Sequence, residues 1–288
     1  MTTTLRTVII PAAGRGTRLM PATRVTAKEM LSVYDRPVIE FAVEEAIEAQ
    51  AERIIVVISP TKTAIRDHLA GYPLGTGPGP GPVRLVSDRA RPGRSIPEIV
   101  YAFQPEPRGL GDAVLCCRDL VLPGPFGVIL PDDIIMGRPC LSEMIRGGSA
   151  FHAVAAMRVQ AAETGKYGIF RLGGSAVGRC IPVTGMVEKP EAGLAPSTLA
   201  AVGRYILEPM IFDVLQHTPR GAGGEVQLTD AIAIATHAVP LTAFLFSGER
   251  FDCGNHDGLL AASIARQCAV KTALLALSAT SDLSADAG

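Results

Sequence analysis

The stretch that most constrains this chain is Val8 to Ile10 followed by PAAGRGTR. A short apolar, β-branched run that breaks into small residues and glycine reads as a buried strand ending in a tight loop with exposed backbone. A helical apolar rhythm follows over Ala42 to Ala49, carried by Phe41, Ala42, Val43, Ala46 and Ile47, and RIIVVI at 53–58 is a second continuous apolar strand. Strand, loop, helix, strand is the βαβ unit of a parallel sheet, whose faces are covered by helices. The fold class is therefore α/β, opening with a β-strand and a backbone-exposing loop.

The pattern continues with a helix over 61–69 and then GYPLGTGPGPGPV, a Gly/Pro run at 71–82 that suits neither a helix nor a central strand and reads as a surface loop. Strands are expected over 99–104 and 127–130, with a helix over 111–117 between them. The second strand stops at Pro131, Asp132 and Asp133. Further strands are expected over 153–159, 169–172, 185–188, 201–206 and 242–246, with helices over 229–238 and 259–277. The second half thus carries more strand than helix. Residues 278–288, SATSDLSADAG, read as a disordered tail, and no internal repeat is evident.

Composition excludes several classes. Lys and Arg number 27 against 28 Asp and Glu, a formal charge of −1, which leaves no field to draw in nucleic acid or an anionic membrane. With 48% hydrophobic and 19% charged residues the chain has material for a large core and reads as soluble and globular. Cysteines at 116, 117, 140, 180, 253 and 268 include no C-x-x-C pair, so neither a zinc site nor a disulfide framework is suggested. The N-terminus has no cationic leader before its apolar run, and a cytoplasmic protein with reduced thiols is expected. The five histidines show no metal-ligand spacing and read as ordinary core, surface or capping residues.

Gly14-x-Gly16 after a strand invites a dinucleotide-binding reading, but that fingerprint needs Gly or Ala at position 19, which is Leu. A phosphate-binding P-loop would need Lys and then Ser or Thr after its last glycine, and Thr17-Arg18 supplies neither. What remains is a small-residue loop whose backbone N–H groups can approach a base or phosphates, flanked by Arg15 and Arg18 with Lys28 further on. That suits a polyphosphate. Asp132 and Asp133 follow one strand-like stretch and Asp252, in FDCGN, another, and one carboxylate from each place could hold Mg²⁺, which takes oxygen ligands and usually shares them with substrate phosphates. Glu188-Lys189-Pro190 sets a carboxylate and a cation where a strand ends, suited to a sugar hydroxyl and a phosphate. Taken singly, each of these motifs is equally a turn, a helix cap or a charged surface corner.

Together they resemble the bacterial UTP–glucose-1-phosphate uridylyltransferases of the wider sugar-nucleotidyltransferase family. The resemblance runs from about Thr7 to Arg266 through VIIPAAGRGTRLMPATRVTAKEML, RPVIEFAVEEA, GLGDAVLC, LPDD, KYGIF, MVEKP, VGRYIL, GGEVQLTDAI and FDCGN, in that order. It implies a single domain over 1–272 with a Rossmann-like three-layer αβα fold and a mixed, mostly parallel central sheet. The nucleotide part would span about 7–135 and the sugar part about 150–256, in a homodimer or homotetramer. The implied reaction is Mg²⁺-dependent transfer of a uridylyl group from UTP to glucose 1-phosphate, giving UDP-glucose and pyrophosphate.

Carried over, the resemblance gives the backbone of Ala12, Ala13, Gly14 and Gly16 to the nucleotide, with Gln104 and Gly109 on the base edge. Arg18 would hold the departing pyrophosphate, Lys28 would bind phosphate near the reacting centre, and Asp132 and Asp252 would bind Mg²⁺. Gly168, Glu188, Lys189 and Gly203 would form the sugar-phosphate side, with Glu188 on glucose hydroxyls and Lys189 on the phosphate. The chemistry agrees with the residue types: a sugar phosphate oxygen is already an anionic nucleophile, so the site needs charge cancellation and alignment rather than a Ser, Cys or His nucleophile.

Four positions depart from the family pattern. Ala27 stands before Lys28 where Pro is usual, Asp112 replaces the His of GLGHAV, His256 follows DCGN where Lys is common, and a Gly/Pro run after Leu69 takes the place of a long charged helical insertion. They keep open another nucleotide or sugar, such as dTTP or galactose 1-phosphate, and a non-catalytic, nucleotide-binding or regulatory paralogue.

Overall fold

The computed structural model describes residues 5–70, 97–147, 151–191 and 193–285. The predicted strand-helix-strand opening is present as β1 (Thr7–Pro11), α1 (Val38–Glu48) and β4 (Arg53–Ile58), with the short pair β2 (Ser32–Val33) and β3 (Arg36–Pro37) inserted before α1. There follow α2 (Thr63–Ala70), β5 (Glu98–Phe103), α3 (Leu110–Leu115), β6 (Phe126–Ile129), β7 (Asp133–Met136), α4 (Cys140–Arg146) and β8 (His152–Arg158). The second half adds β9 (Gly168–Leu172), β10 (Cys180–Glu188), β11 (Leu199–Leu207), α5 (Ile211–His217), α6 (Leu228–Ala235), β12 (Leu241–Leu245), β13 (Glu249–Asp252) and α7 (His256–Ala285).

One sheet organises the molecule, in the order β5-β4-β1-β6-β11-β8-β12-β10-β9. The ladders β5–β4, β4–β1 and β1–β6 are parallel, as the βαβ reading requires, and β8–β12 is parallel as well. The ladders made by β10 and β11 are antiparallel, and they are what mixes the sheet. Period-two alternation divides RIIVVI between two cores: Ile55 and Val57 join α3, α5 and α6 on one face, while Ile54, Val56 and Ile58 join α1, α2 and α4 on the other. This is the three-layer arrangement expected. Burial of such side chains on both faces is the main stabilising contribution, about 1.5–3 kcal/mol for each large aliphatic side chain.

A small two-stranded ladder matters most for the site. β13 pairs antiparallel with β7 in a register that sets Asp252 opposite Asp133. Val33, Val38, Ile134, Phe251, Cys253 and Ala262 form a minor core under it, joining the ladder to α1 and α7. α7 is tied down further by Arg266, which clasps Asp35 with two bonds of 2.9 Å. Residues 256–275 of α7 are long and apolar enough, by length and composition alone, to cross a membrane.

The structure departs from the expectations at several elements. β7, α4 and α5 carry no distinct rhythm in sequence because each has only four to seven residues, too few for a period to be read. α7 continues to Ala285, into the stretch read from sequence as a tail, and residues 286–288 lie outside the described residues; Leu275, Ala276, Leu277 and the alanines after them favour helix and no Gly or Pro interrupts before the described end. The Gly/Pro run at 71–82 lies outside the described residues.

Candidate active site

The parallel register lays the carboxyl ends of β1, β4 and β6 side by side, with Pro11 opposite Val57. The glycine loop leaves β1 there, Gln104 follows β5 and Asp132 follows β6, so three segments distant in sequence meet at one sheet edge. They line a cleft of about 420 Å³, to which Ala13, Gly14, Gly16, Arg18 and Lys28 contribute from one side and Gln104, Gly109 and Asp132 from the other. A neighbouring cavity of about 730 Å³ shares Ala13 and Gln104 with it and extends over Arg15, Arg24 and Lys62.

At the centre Lys28 Nζ donates to Asp132 Oδ2 at 2.5 Å, and both side chains are mostly enclosed. Burial opposes the charge on Lys28, yet the pull of Asp132 and Glu29 prevails and holds its ammonium above the ordinary lysine range. Burial likewise opposes charge on Asp132, and Lys28 overrides it, keeping the carboxyl below the usual range. The pair is therefore ionised at neutral pH.

Asp252 reaches the same place through the β7–β13 register and a bond from the Cys253 N–H to the Asp132 carbonyl at 2.7 Å. A Cβ at Gly254 would stand 2.5 Å from an Arg18 guanidinium nitrogen, 2.9 Å from Asp252 Oδ1 and 3.1 Å from Asp132 Oδ2. Three predicted residues thus converge on one spot that only glycine leaves open. Arg18 stays 64% exposed, 3.7 Å from Asp252, and so is available to an anion in the cleft. Two converging carboxylates beside a polyphosphate-sized cleft are residues that could hold a divalent cation whose shell is completed by phosphate and water. No group of three or more His, Cys, Asp or Glu able to hold a metal occurs among the described residues.

Ala12 sits apart from the cleft lining. Its N–H donates to the Val57 carbonyl at 2.7 Å and its carbonyl accepts from Lys62, whereas Ala13 and Gly14 line the cleft. Lys62 was not evident from sequence. Its ammonium donates to the carbonyls of Ala12 at 2.8 Å and Gly14 at 2.5 Å and to Glu29 Oε2 at 2.8 Å, which uses all three donors and pins the glycine loop from beneath. Burial lowers the Lys62 pKa, with Glu29 opposing, and burial raises that of Glu29 against the pull of Lys28 and Lys62.

Gln104, 4% exposed, donates through its amide nitrogen to the Gly109 carbonyl at 3.0 Å and to Asp112 Oδ2 at 2.8 Å. Gly109 is required as glycine: its φ is 109°, and a Cβ would lie 2.6 Å from the Val226 carbonyl oxygen. Asp112, which stands where the family pattern has His, therefore puts its carboxylate on Gln104, in the first turn of α3.

The residues that the resemblance assigns to the sugar phosphate occupy the antiparallel half. β9–β10 pairing sets Gly168 opposite Glu188, and Lys189 follows at φ 43°, a conformation that costs a non-glycine residue energy and recurs at functional sites. The Lys189 N–H donates to the Tyr167 carbonyl at 3.0 Å, and its ammonium stands 3.4 Å from Glu188. Gly203 is buried, its N–H donating to Asp133 Oδ2 at 2.9 Å; a Cβ there would meet Leu130 Cβ at 2.6 Å. None of these four lines the 420 Å³ cleft; Gly203 adjoins it through Leu130, which does.

A second missed residue, Arg250, links the two halves. Its guanidinium clasps Asp133 Oδ1, donates to the Tyr167 hydroxyl at 3.2 Å and lies 3.9 Å from Asp252. Burial raises the Asp133 carboxyl pKa against the pull of Arg250, while Asp133 raises that of Arg250 despite burial. The pair fixes the positions of Asp252 and Gly203 and is satisfied inside the protein. Of the other departures, Ala27 holds extended backbone before the short helical turn that carries Lys28, and His256 is exposed at the start of α7.

Comparison with known proteins agrees with this geometry. The Nucleotidyl transferase family model matches residues 7–267. The UTP–glucose-1-phosphate uridylyltransferase of Bacillus subtilis is 39% identical over 267 residues, 90% of each chain, and that of Streptococcus pyogenes is 39% identical over 274 residues, 91% of this chain and 88% of its own. A crystal structure of UDP-glucose pyrophosphorylase complexed with UDP-glucose superposes with a TM-score of 0.80 at 33% identity, covering 91% of this chain and 98% of that one. The UTP-bound enzyme from Acinetobacter baumannii gives 0.75 at 33% identity, covering 91% and 93%. The chain belongs to the nucleotidyl transferase family, among the UTP–glucose-1-phosphate uridylyltransferases, and is a nucleotidyltransferase enzyme.

Proposed function

We propose that this enzyme joins UTP to glucose 1-phosphate, releasing pyrophosphate and forming UDP-glucose with Mg²⁺ as its cation. The observation that carries the reading is the convergence of Arg18, Asp132 and Asp252 on Gly254, beside Lys28 and the glycine loop. Ala13, Gly14 and Gly16 receive the nucleotide, while Gln104 and Gly109 meet the base edge. An oxygen of the sugar phosphate attacks the α-phosphorus as the α–β phosphoanhydride bond breaks, and the electron pair leaves on pyrophosphate. Two anions must approach each other in this step, so the residues act by charge and alignment. Lys28, held charged by Asp132, faces the α-phosphate, and Arg18 takes the departing pyrophosphate. Asp132 and Asp252 are the residues that would hold the cation, which supplies further neutralisation of phosphate charge when bound.

Glu188 and Lys189 receive the sugar hydroxyls and phosphate beside Gly168, with Gly203 letting β11 approach Asp133 closely. The resemblance also supports a cytoplasmic homodimer or homotetramer. The intact set of cations and carboxylates favours catalysis over a purely regulatory role. The test is pyrophosphate release by purified protein with glucose 1-phosphate and each of UTP, dTTP, CTP, ATP and GTP. Release with UTP, lost in EDTA, is expected; silence with UTP alongside release with another nucleotide would refute the assignment.

A further inference from the structure

The amide of Gln104 has one orientation available to it. Both of its neighbours, the Asp112 carboxylate at 2.8 Å and the Gly109 carbonyl at 3.0 Å, are acceptors, and neither can donate. Only the amide nitrogen can face them, and its two hydrogens are then both used. The orientation is thus set by its surroundings. The amide oxygen is turned the other way, Gln104 lines the cleft, and no described residue donates to that oxygen.

We infer that Asp112 is a positioning residue for base choice, locking Gln104 so that the cleft presents an acceptor. This rests on the reading of the cleft as a nucleotide site and extends it. A base whose Watson–Crick edge carries an N3–H, as uracil and thymine do, donates to the Gln104 oxygen. Cytosine has a lone pair at N3 and meets that oxygen with repulsion. Without Asp112 the amide keeps only the Gly109 carbonyl as anchor and can turn its nitrogen outward, which makes cytosine acceptable. The carboxylate is suited to this role because an anion is the stronger anchor for an N–H donor, and it never has to touch the base.

The experiment compares binding and turnover of UTP and CTP, with glucose 1-phosphate, in wild type, Asp112→Ala and Asp112→Asn. Asp112 is half-buried in the first turn of α3, where alanine is a good helix former, so the Ala variant folds. Wild type is expected to prefer UTP. Asp112→Ala should lower the UTP-to-CTP ratio of kcat/KM by about tenfold, the scale of one charge-assisted hydrogen bond, through a higher KM for UTP at nearly unchanged kcat and a gain with CTP. Asp112→Asn, which keeps an acceptor oxygen on the amide nitrogen, should retain most of the preference. Equal losses with both nucleotides in Asp112→Ala, leaving the ratio intact, would show a merely structural role and overturn the inference. A wild type that binds UTP no better than CTP would overturn the nucleotide reading itself, and the inference with it.

Discussion

Replacing Lys62 by methionine removes three bonds at once and strands a carboxylate. Glu29 has no exposed side-chain surface, its Oε1 has no hydrogen-bond partner among the described residues, and its other cation, Lys28, stands at 4.0 Å. Lys62 at 2.8 Å is the group that compensates its burial. Breaking one side of a buried ion pair costs about 3–5 kcal/mol, and at roughly 2–4 °C per kcal/mol for a chain approaching this size the melting temperature should fall by about 6–20 °C. The pH dependence has a definite sign. Burial raises the Glu29 pKa above its unfolded value, so ionising it costs stability as pH rises through the folded pKa, and losing Lys62 raises that pKa further. The deficit of Lys62→Met should therefore be smallest in acid, where Glu29 is protonated, and largest at neutral pH. Calorimetric melting of Lys62→Met and of the double variant Glu29→Gln/Lys62→Met tests this. The double variant, with a neutral side chain in the same space, should recover most of the loss and lack its pH dependence. A single variant that melts like wild type at neutral pH, or a double variant that melts no higher than the single one, would refute the reasoning.

Three further outcomes are expected. Gly254→Ala puts a methyl group among Arg18, Asp252 and Asp132; the protein should stay folded by circular dichroism while pyrophosphate formation falls at least about tenfold, the effect of misplacing reacting groups. Lys189→Ala should raise KM for glucose 1-phosphate far more than it lowers kcat, measured by varying the sugar phosphate at saturating UTP; an unchanged KM would remove Lys189 from phosphate binding. Gly203→Ala drives a Cβ to 2.6 Å from Leu130 Cβ on a buried strand, and should destabilise the fold by about 1–3 kcal/mol in urea titration.

Sequence reading reached the sheet and the loop more easily than the constellation. RIIVVI and the run before the glycine loop are long, apolar and β-branched, so their nature was legible from local pattern alone. The glycine loop, Arg18, Lys28 and the acidic strand ends were legible as motifs, but their meeting depends on a register between β7 and β13 that no local signal encodes. Lys62 and Arg250 were missed for the same reason. Each lies outside any recognisable motif, and each acquires its role only from groups distant in sequence: Ala12, Gly14 and Glu29 for one, Asp133 and Tyr167 for the other. Asp112 was visible as a departure, but a negative charge near a nucleotide loop could not be given a sign until its partner was known to be Gln104 rather than phosphate. At the C-terminus α7 runs to Ala285, into the stretch read from sequence as a tail.

Asp132 and Asp252, brought together beside Arg18 and Lys28, are the proposed cation-binding heart of a uridylyl-transferring site. The most direct test of that role is the Mg²⁺ dependence of pyrophosphate formation from UTP and glucose 1-phosphate in wild type, Asp132→Asn and Asp252→Asn. Turnover in wild type should require Mg²⁺. Asp132→Asn should lose about 10²-fold or more in kcat, the scale seen when a preorganised charge-stabilising group is removed, and Asp252→Asn should need markedly more Mg²⁺ for half-maximal rate. Wild-type rates and wild-type Mg²⁺ dependence in both variants would contradict the account.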